Sequence, residues 1–262
     1  LISCIYGVVD MAMVGQYEGP AGTAALAVVA PVWNIIYSLG LFMGIGGSVI
    51  FSTKKGAASQ GDDPNAYFTV AVLGSVLFAA ASWGGLLLFE KPILRFFGAD
   101  SALLPLAVTY MKPILYVLPV FFLNQMLAAF LRNDNRPSLA TLAVLLGGIL
   151  NVFGDWFFVF YMDFGIYGAG LATAIGSSLS FAVMLTHFFS RKNTLRLIRT
   201  KKLAAKLGEV CRSGFSSFFV DAAMGILTVL FNRQIMRWLN ADALAIYGPI
   251  INISTFVQCC AY

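Results

Sequence analysis

Runs of about twenty apolar residues recur along this chain, each as long as a helix must be to cross the hydrocarbon core of a bilayer. Seven occupy residues 1–17, 26–53, 66–89, 111–131, 138–161, 166–190 and 214–236, and an eighth begins at 243 and is still apolar at 262. A water-soluble domain carries roughly 25% charged residues; here 11% are charged and 59% hydrophobic. Lipid is the solvent such a chain requires. The pattern predicts an all-α, polytopic transmembrane bundle. The first block has no charged n-region or small-residue cleavage site, so it reads as a span rather than a signal peptide. Both end blocks lack a polar flank, and the sequence reads as a fragment of a longer protein.

The net charge of +5 sorts by connection. Alternate connections hold Lys54 and Lys55, then Arg132 and Arg136, then Arg191, Lys192, Arg196, Arg199, Lys201, Lys202, Lys206 and Arg212. The opposite ones hold only Lys91, Arg95, Arg233 and Arg237. By the positive-inside rule the first set is cytoplasmic, which predicts a multi-pass protein of the plasma (inner) membrane with a cytoplasmic N-terminus. Topology and anionic lipid account for the basic stretch, so no nucleic-acid partner is implied. Cys4, Cys211, Cys259 and Cys260 have no ligand spacing and read as buried thiols, while His187, the one histidine, reads as an interfacial residue at a helix end. No metal site is expected from them, and a lone histidine also argues against a membrane enzyme.

An internal repeat organises the chain. Residues 25–35 read ALAVVAPVWNI and residues 243–253 read ALAIYGPIINI, 218 positions apart without a gap, and the matches include Pro31 with Pro249 and Asn34 with Asn252. Both copies open an even-numbered helix, so the repeat is parallel and its unit is six helices. The implied division is a six-helix lobe over 1–190, a basic cytoplasmic linker over 191–213 and the start of a second lobe over 214–262. Duplicated bundles of this kind carry substrate between their halves by alternating access.

Acids inside the spans are few: Asp10, Asp155 and Asp221. Each costs about 2.5–3.5 kcal/mol at a helix centre on insertion scales, which makes it a functional candidate. Counting about 1.5 Å per residue from the outer helix ends puts Asp10, Asp155 and Thr173 in one layer, with Asn151 on the same face as Asp155 one turn deeper. A carboxylate held away from water disfavours its ionised form, so a proton or a sodium ion competes to neutralise it. Asp221 lies at another depth and belongs to a possible second-lobe site. Asn34, Asn124 and Gln125 are weaker candidates for a cavity. Lys112 falls at the edge of the fourth block and reads as a snorkelling residue.

Two stretches carry a family resemblance. GVVDMAMVGQYEGPAGTAALAVVAPV (7–32) resembles the first helix, short outer loop and second-helix start of the multidrug and toxic compound extrusion (MATE) transporters of bacterial type. FLRNDNRPSLATLAVLLGGILNVFGDWFFVF (130–160) with GIYGAGLATAIG (165–176) is similar to that family's fourth loop, fifth helix and sixth-helix start. The order and spacing agree along nearly all 262 residues. The resemblance implies two six-helix lobes with the second truncated, and cation coupling by Asp10, Asn151, Asp155 and Thr173. It also implies antiport of organic, often cationic drugs against H⁺ or Na⁺, with no cofactor, and a monomer at full length. Asp134-Asn135 departs from the glycine many members have in the fourth loop, with little expected consequence for chemistry. A lipid-linked oligosaccharide flippase of related fold is the alternative, favoured by a basic central cavity that these helices do not supply; a non-transporting truncated remnant is a further one.

Overall fold

The structure, a computed structural model, describes residues 2–57 and 63–261. Among the described residues eight α-helices follow one another: α1 (Ile2–Glu18), α2 (Pro20–Gly56), α3 (Asn65–Phe96), α4 (Leu103–Asn133), α5 (Pro137–Asp155), α6 (Gly165–Leu185), α7 (Leu203–Trp238) and α8 (Ala241–Ala261). A π-helical turn, Trp156–Tyr161, continues α5, and a 3₁₀ turn, Thr186–Phe189, finishes α6. There is no strand among the described residues. The helical segments from α2 through α7 include six long and apolar enough to cross a membrane by length and composition.

Several helices run past their apolar blocks. The short loop expected between the first two helices shrinks to Gly19, whose φ of 70° reverses the chain at no steric cost, and Pro20 then opens α2 with the fixed φ a first turn needs. Asp100 accepts from the backbone N–H groups of Ala102 and Leu103, so α4 starts eight residues before its apolar block. Lys112 therefore lies inside α4, exposed, rather than at its edge. Likewise α7 begins at Leu203, within the stretch read as linker: Leu207 and Val210 turn inward while Lys206 is buried along its stem with its ammonium over the Tyr67 ring.

α2 and α4 form the spine. Val28, Val29, Ile114, Leu118 and Phe122 are fully or almost fully buried between them and their neighbours. A second core at the other end gathers Phe51, Phe68 and Phe130, with Phe130 edge-on to both partners at ring separations of 5.8 and 5.0 Å. α3 and α7 instead present Leu77, Leu88, Phe215, Phe219 and Val220 outward. In lipid that exposure carries no hydrophobic penalty, and helix association rests on close packing. Lys54, Lys55, Arg132, Arg136 and the non-helical segment 190–202 all gather at one end of the bundle, the basic end.

Candidate functional site

Three helices bring side chains to Asp10 of α1. Tyr110 on α4 donates its hydroxyl to Asp10 Oδ2 at 3.1 Å, and Thr173 on α6 donates to the same oxygen at 3.2 Å. Asn151 on α5 donates Nδ2 to Thr173 Oγ1 at 3.1 Å. Asp155, one turn further along α5, is completely buried and close enough to Asp10 for the two carboxyl groups to interact. All five residues are more than nine-tenths buried.

Glycines let the helices come this close. A Cβ on residue 170 would lie 2.2 Å from the Tyr110 carbonyl oxygen, so α4 reaches α6 only past a bare backbone. A Cβ on residue 176 would lie 2.6 Å from the Gly147 carbonyl oxygen, and this α5–α6 contact sets Asn151 beside Thr173. The π-helical turn begins one residue after Asp155, where the backbone register changes; Met162 N–H donates to the Phe157 carbonyl five residues back.

The site is short of donors. Asp10 Oδ1, Asn151 Oδ1 and both Asp155 oxygens receive no hydrogen bond from the protein although they are buried. Among the described residues neither acid has an ion-pair partner. Buried acceptors are nearly always satisfied in folded proteins, so this cluster of unsatisfied oxygens on facing acids stands out as the candidate site.

A second buried carboxylate, at the basic end, is arranged in the opposite way. Asp134, just past α4, takes Lys55 Nζ at 2.8 Å on Oδ1 and His187 Nε2 at 2.9 Å on Oδ2. Thr194 adds its backbone N–H to Oδ2 at 3.1 Å and its hydroxyl to Oδ1. Burial pushes the Asp134 carboxyl up, but the hydrogen bonds from Lys55, Thr194 and His187 outweigh it and hold it below the ordinary carboxylate range. The cluster ties the ends of α2, α4 and α6 to segment 190–202. That strap is held further by Arg196 N–H on Asn65 Oδ1 at 2.8 Å and Ile198 N–H on Thr69 Oγ1 at 3.0 Å. His187, at the end of α6, is fully buried and bonded to Asp134 through Nε2.

Against known proteins, the MatE family profile matches residues 1–157. The chain belongs to the MatE family. Multidrug export protein MepA of Staphylococcus saprophyticus is 24% identical over 270 residues, covering 98% of this chain and 57% of MepA. MepA of Staphylococcus aureus strain MRSA252 is 25% identical over 265 residues with the same coverage. Among solved structures, an inward-facing multidrug resistance MATE family transporter of the MOP superfamily superposes with a TM-score of 0.88 at 21% identity, over 98% of this chain and 58% of that one. The MATE multidrug transporter DinF-BH, in complex with a dye, gives 0.88 at 24% identity with the same coverage. The chain spans a little over half the length of these relatives, and the likeness shows that the bundle is a MATE fold.

Within this MatE chain, Asp10, Asn151, Asp155 and Thr173 come together, and Asn34, Asn124 and Gln125 do not join them. Asn34 is half-buried on α2 opposite Gly225 of α7, and Gln125 is half-buried on α4 against Gly40 of α2. Asn124 is buried and accepts from Ser180 at 3.4 Å. Asp221 lies in α7, and its side chain is outside the described residues, as are those of Cys4, Asn252, Cys259 and Cys260. Cys211 is free and half-buried. Tyr110 is absent from the sequence candidates because it precedes the apolar block of the fourth helix. The Asp100 cap, with a helix then running through Tyr110, is the signal that could have found it.

Proposed function

We propose that this chain is the first lobe and the opening helices of the second lobe of a secondary antiporter, one that exports organic, often cationic compounds in exchange for H⁺ or Na⁺. The lobes divide as the repeat implies, the first over 1–190 and the second opened by α7 at Leu203 rather than at 214, and the basic end between them faces the cytoplasm. The observation that carries the reading is the Asp10–Asp155 pair, buried beside each other with oxygens that no protein group satisfies. Two ionised carboxylates in that position are strongly disfavoured, so a mobile cation must accompany them. Loading and release of that cation then bias which side of the membrane the inter-lobe path opens to. The relatives are multidrug export proteins, and one neighbouring structure holds a bound dye, which supports a small organic substrate. No step calls for a cofactor or for bond-making chemistry.

At position 228, the repeat counterpart of Asp10, stands Thr228, which donates to the Met224 carbonyl of its own helix at 2.9 Å. In this reading the coupling acids belong to the first lobe. The test is the full-length protein in proteoliposomes, following uptake of a fluorescent organic cation under an imposed pH or sodium gradient. Gradient-driven uptake that both Asp10→Asn and Asp155→Asn abolish is the expected result and names the ion. No uptake under either gradient, across several cations, defeats the antiporter reading.

A further inference from the structure

Proline leaves a mark one turn earlier in its helix: it has no N–H, so the carbonyl four residues before it loses its partner. Pro31 lies inside α2, and the carbonyl it deprives is that of Ala27. Asn232, on α7, donates Nδ2 to the Ala27 carbonyl at 2.9 Å across 205 residues of sequence. Asn232 is 1% exposed and its own Oδ1 receives no hydrogen bond, so the side chain is held there by this one donated bond. The contact lies at the end of the bundle remote from the basic strap, near the start of α2 and the finish of α7.

The two helices come from different repeats, and the repeat supplies a control. Pro249 corresponds to Pro31, and the carbonyl it deprives belongs to Ala245, the counterpart of Ala27. The position that corresponds to Asn232 is Val14 on α1, which has no side-chain donor. Where α2 and α7 meet, the seam is closed by a polar bond. Where α1 and α8 meet, Ala245 and Pro249 line a cavity of about 510 Å³ together with Met11 and Gly15.

We propose that Asn232 is a positioning residue that holds the inter-lobe seam closed at this end by supplying the donor that Pro31 withholds from Ala27. Separating α2 from α7 strips the carbonyl of its partner and uncovers a buried amide. The bond therefore weights the balance between this conformation and one opened at the same end. The inference rests on the two-lobe reading for its meaning, but the bond itself does not depend on transport.

The test places spin labels at Ser101, exposed in the α3–α4 turn, and Leu239, exposed at the end of α7, in the full-length protein with its native cysteines replaced. Distances are measured without drug or ion gradient, so failure of the antiport reading leaves the result intact. Asn232→Leu is expected to raise the ratio of long to short distances by about three- to ten-fold, the range for one buried hydrogen bond. In a Pro31→Ala background, where residue 31 regains an N–H for Ala27, the same substitution is expected to change the ratio about two-fold or less. If Asn232→Leu alone does not fold, the double variant is expected to fold. An unchanged distribution in Asn232→Leu, an equal effect in both backgrounds, or failure of both variants to fold overturns the proposal.

Discussion

Two buried aspartate sites in this bundle have received opposite treatment. Asp134 at the basic end is saturated: Lys55, His187 and Thr194 occupy both its oxygens, and the protein itself neutralises it. At the Asp10–Asp155 pair, Tyr110 and Thr173 both donate to one oxygen of Asp10, and the other Asp10 oxygen and both Asp155 oxygens receive no hydrogen bond. A saturated carboxylate is a fastener, because it has nothing left to bind. A bare pair is, in the function proposed here, a receptor for positive charge, and its worth to folding is low or negative while it stays ionised. In the proposed function it is donor supply, rather than burial, that separates the structural acid from the functional pair, since both are buried.

The largest expected effect tests the fastener. Asp134→Asn removes the charge that faces Lys55 and replaces one of the two acceptor oxygens by an NH2 group, and should lower unfolding stability by about 2–4 kcal/mol, after discounting for the one-third exposure of Lys55. It should also expose the strap to trypsin at Arg196 or Arg199. Thermal unfolding and limited proteolysis of the full-length protein read both; an unaltered melting curve would erase the distinction between the two sites. Next, Asp155→Asn should leave the melting temperature unchanged or raise it while removing gradient-driven accumulation. One coupled ion moved through 100 mV contributes about 2.3 kcal/mol, so the loss is about fifty-fold per 100 mV. A variant that melts early and still transports would reverse the roles of the two acids.

A smaller effect sharpens the comparison from the receptor side. Tyr110→Phe removes one donor from Asp10 Oδ2, a change of about 1 kcal/mol, and should shift the half-saturating ion concentration by roughly five-fold with the maximal rate nearly kept. The smallest effect is one of pH. Asp134 is held below its ordinary value of 3.8, so its contribution is complete above that value and is lost only as pH falls through the lower folded value. Protection of the strap, measured by hydrogen exchange at Thr194 and Ile198 and corrected for the intrinsic rate, should not fall as pH is lowered from about 8 to 5. Release of the strap within that window would show that Asp134 is not held as described.

Much of this arrangement is legible in the sequence, for identifiable reasons. Asp10, Asn151, Asp155 and Thr173 stand out because a polar group inside an apolar run is rare and helix rise gives its depth. Their shared layer therefore follows from counting. Tyr110 does not stand out, because a tyrosine near a helix end is ordinary in a membrane protein and only the Asp100 cap shows that the helix has begun. Asp134 is harder still. It lies in a polar connection among other polar residues, and its partners come from residues 55, 187 and 194, so only tertiary structure reveals that the connection is a buried node. The strap is hidden for the same reason: a run of arginines and lysines reads as a solvated linker until its backbone is seen bonded to Asn65 and Thr69. The Asn232–Ala27 bond needs both the proline rule and the packing of α7 on α2, and sequence supplies only the first.

A mobile cation shared by Asp10 and Asp155 is the centre of the proposed function. Infrared difference spectroscopy of the full-length protein, with Asp155→Asn beside it, reads the carboxyl groups directly as pH is varied and as sodium is added at fixed pH. The expected result is a carboxyl band that pH titrates or sodium displaces and that is missing from the variant. A spectrum that neither pH nor sodium alters, or one identical in the variant, would contradict the shared cation.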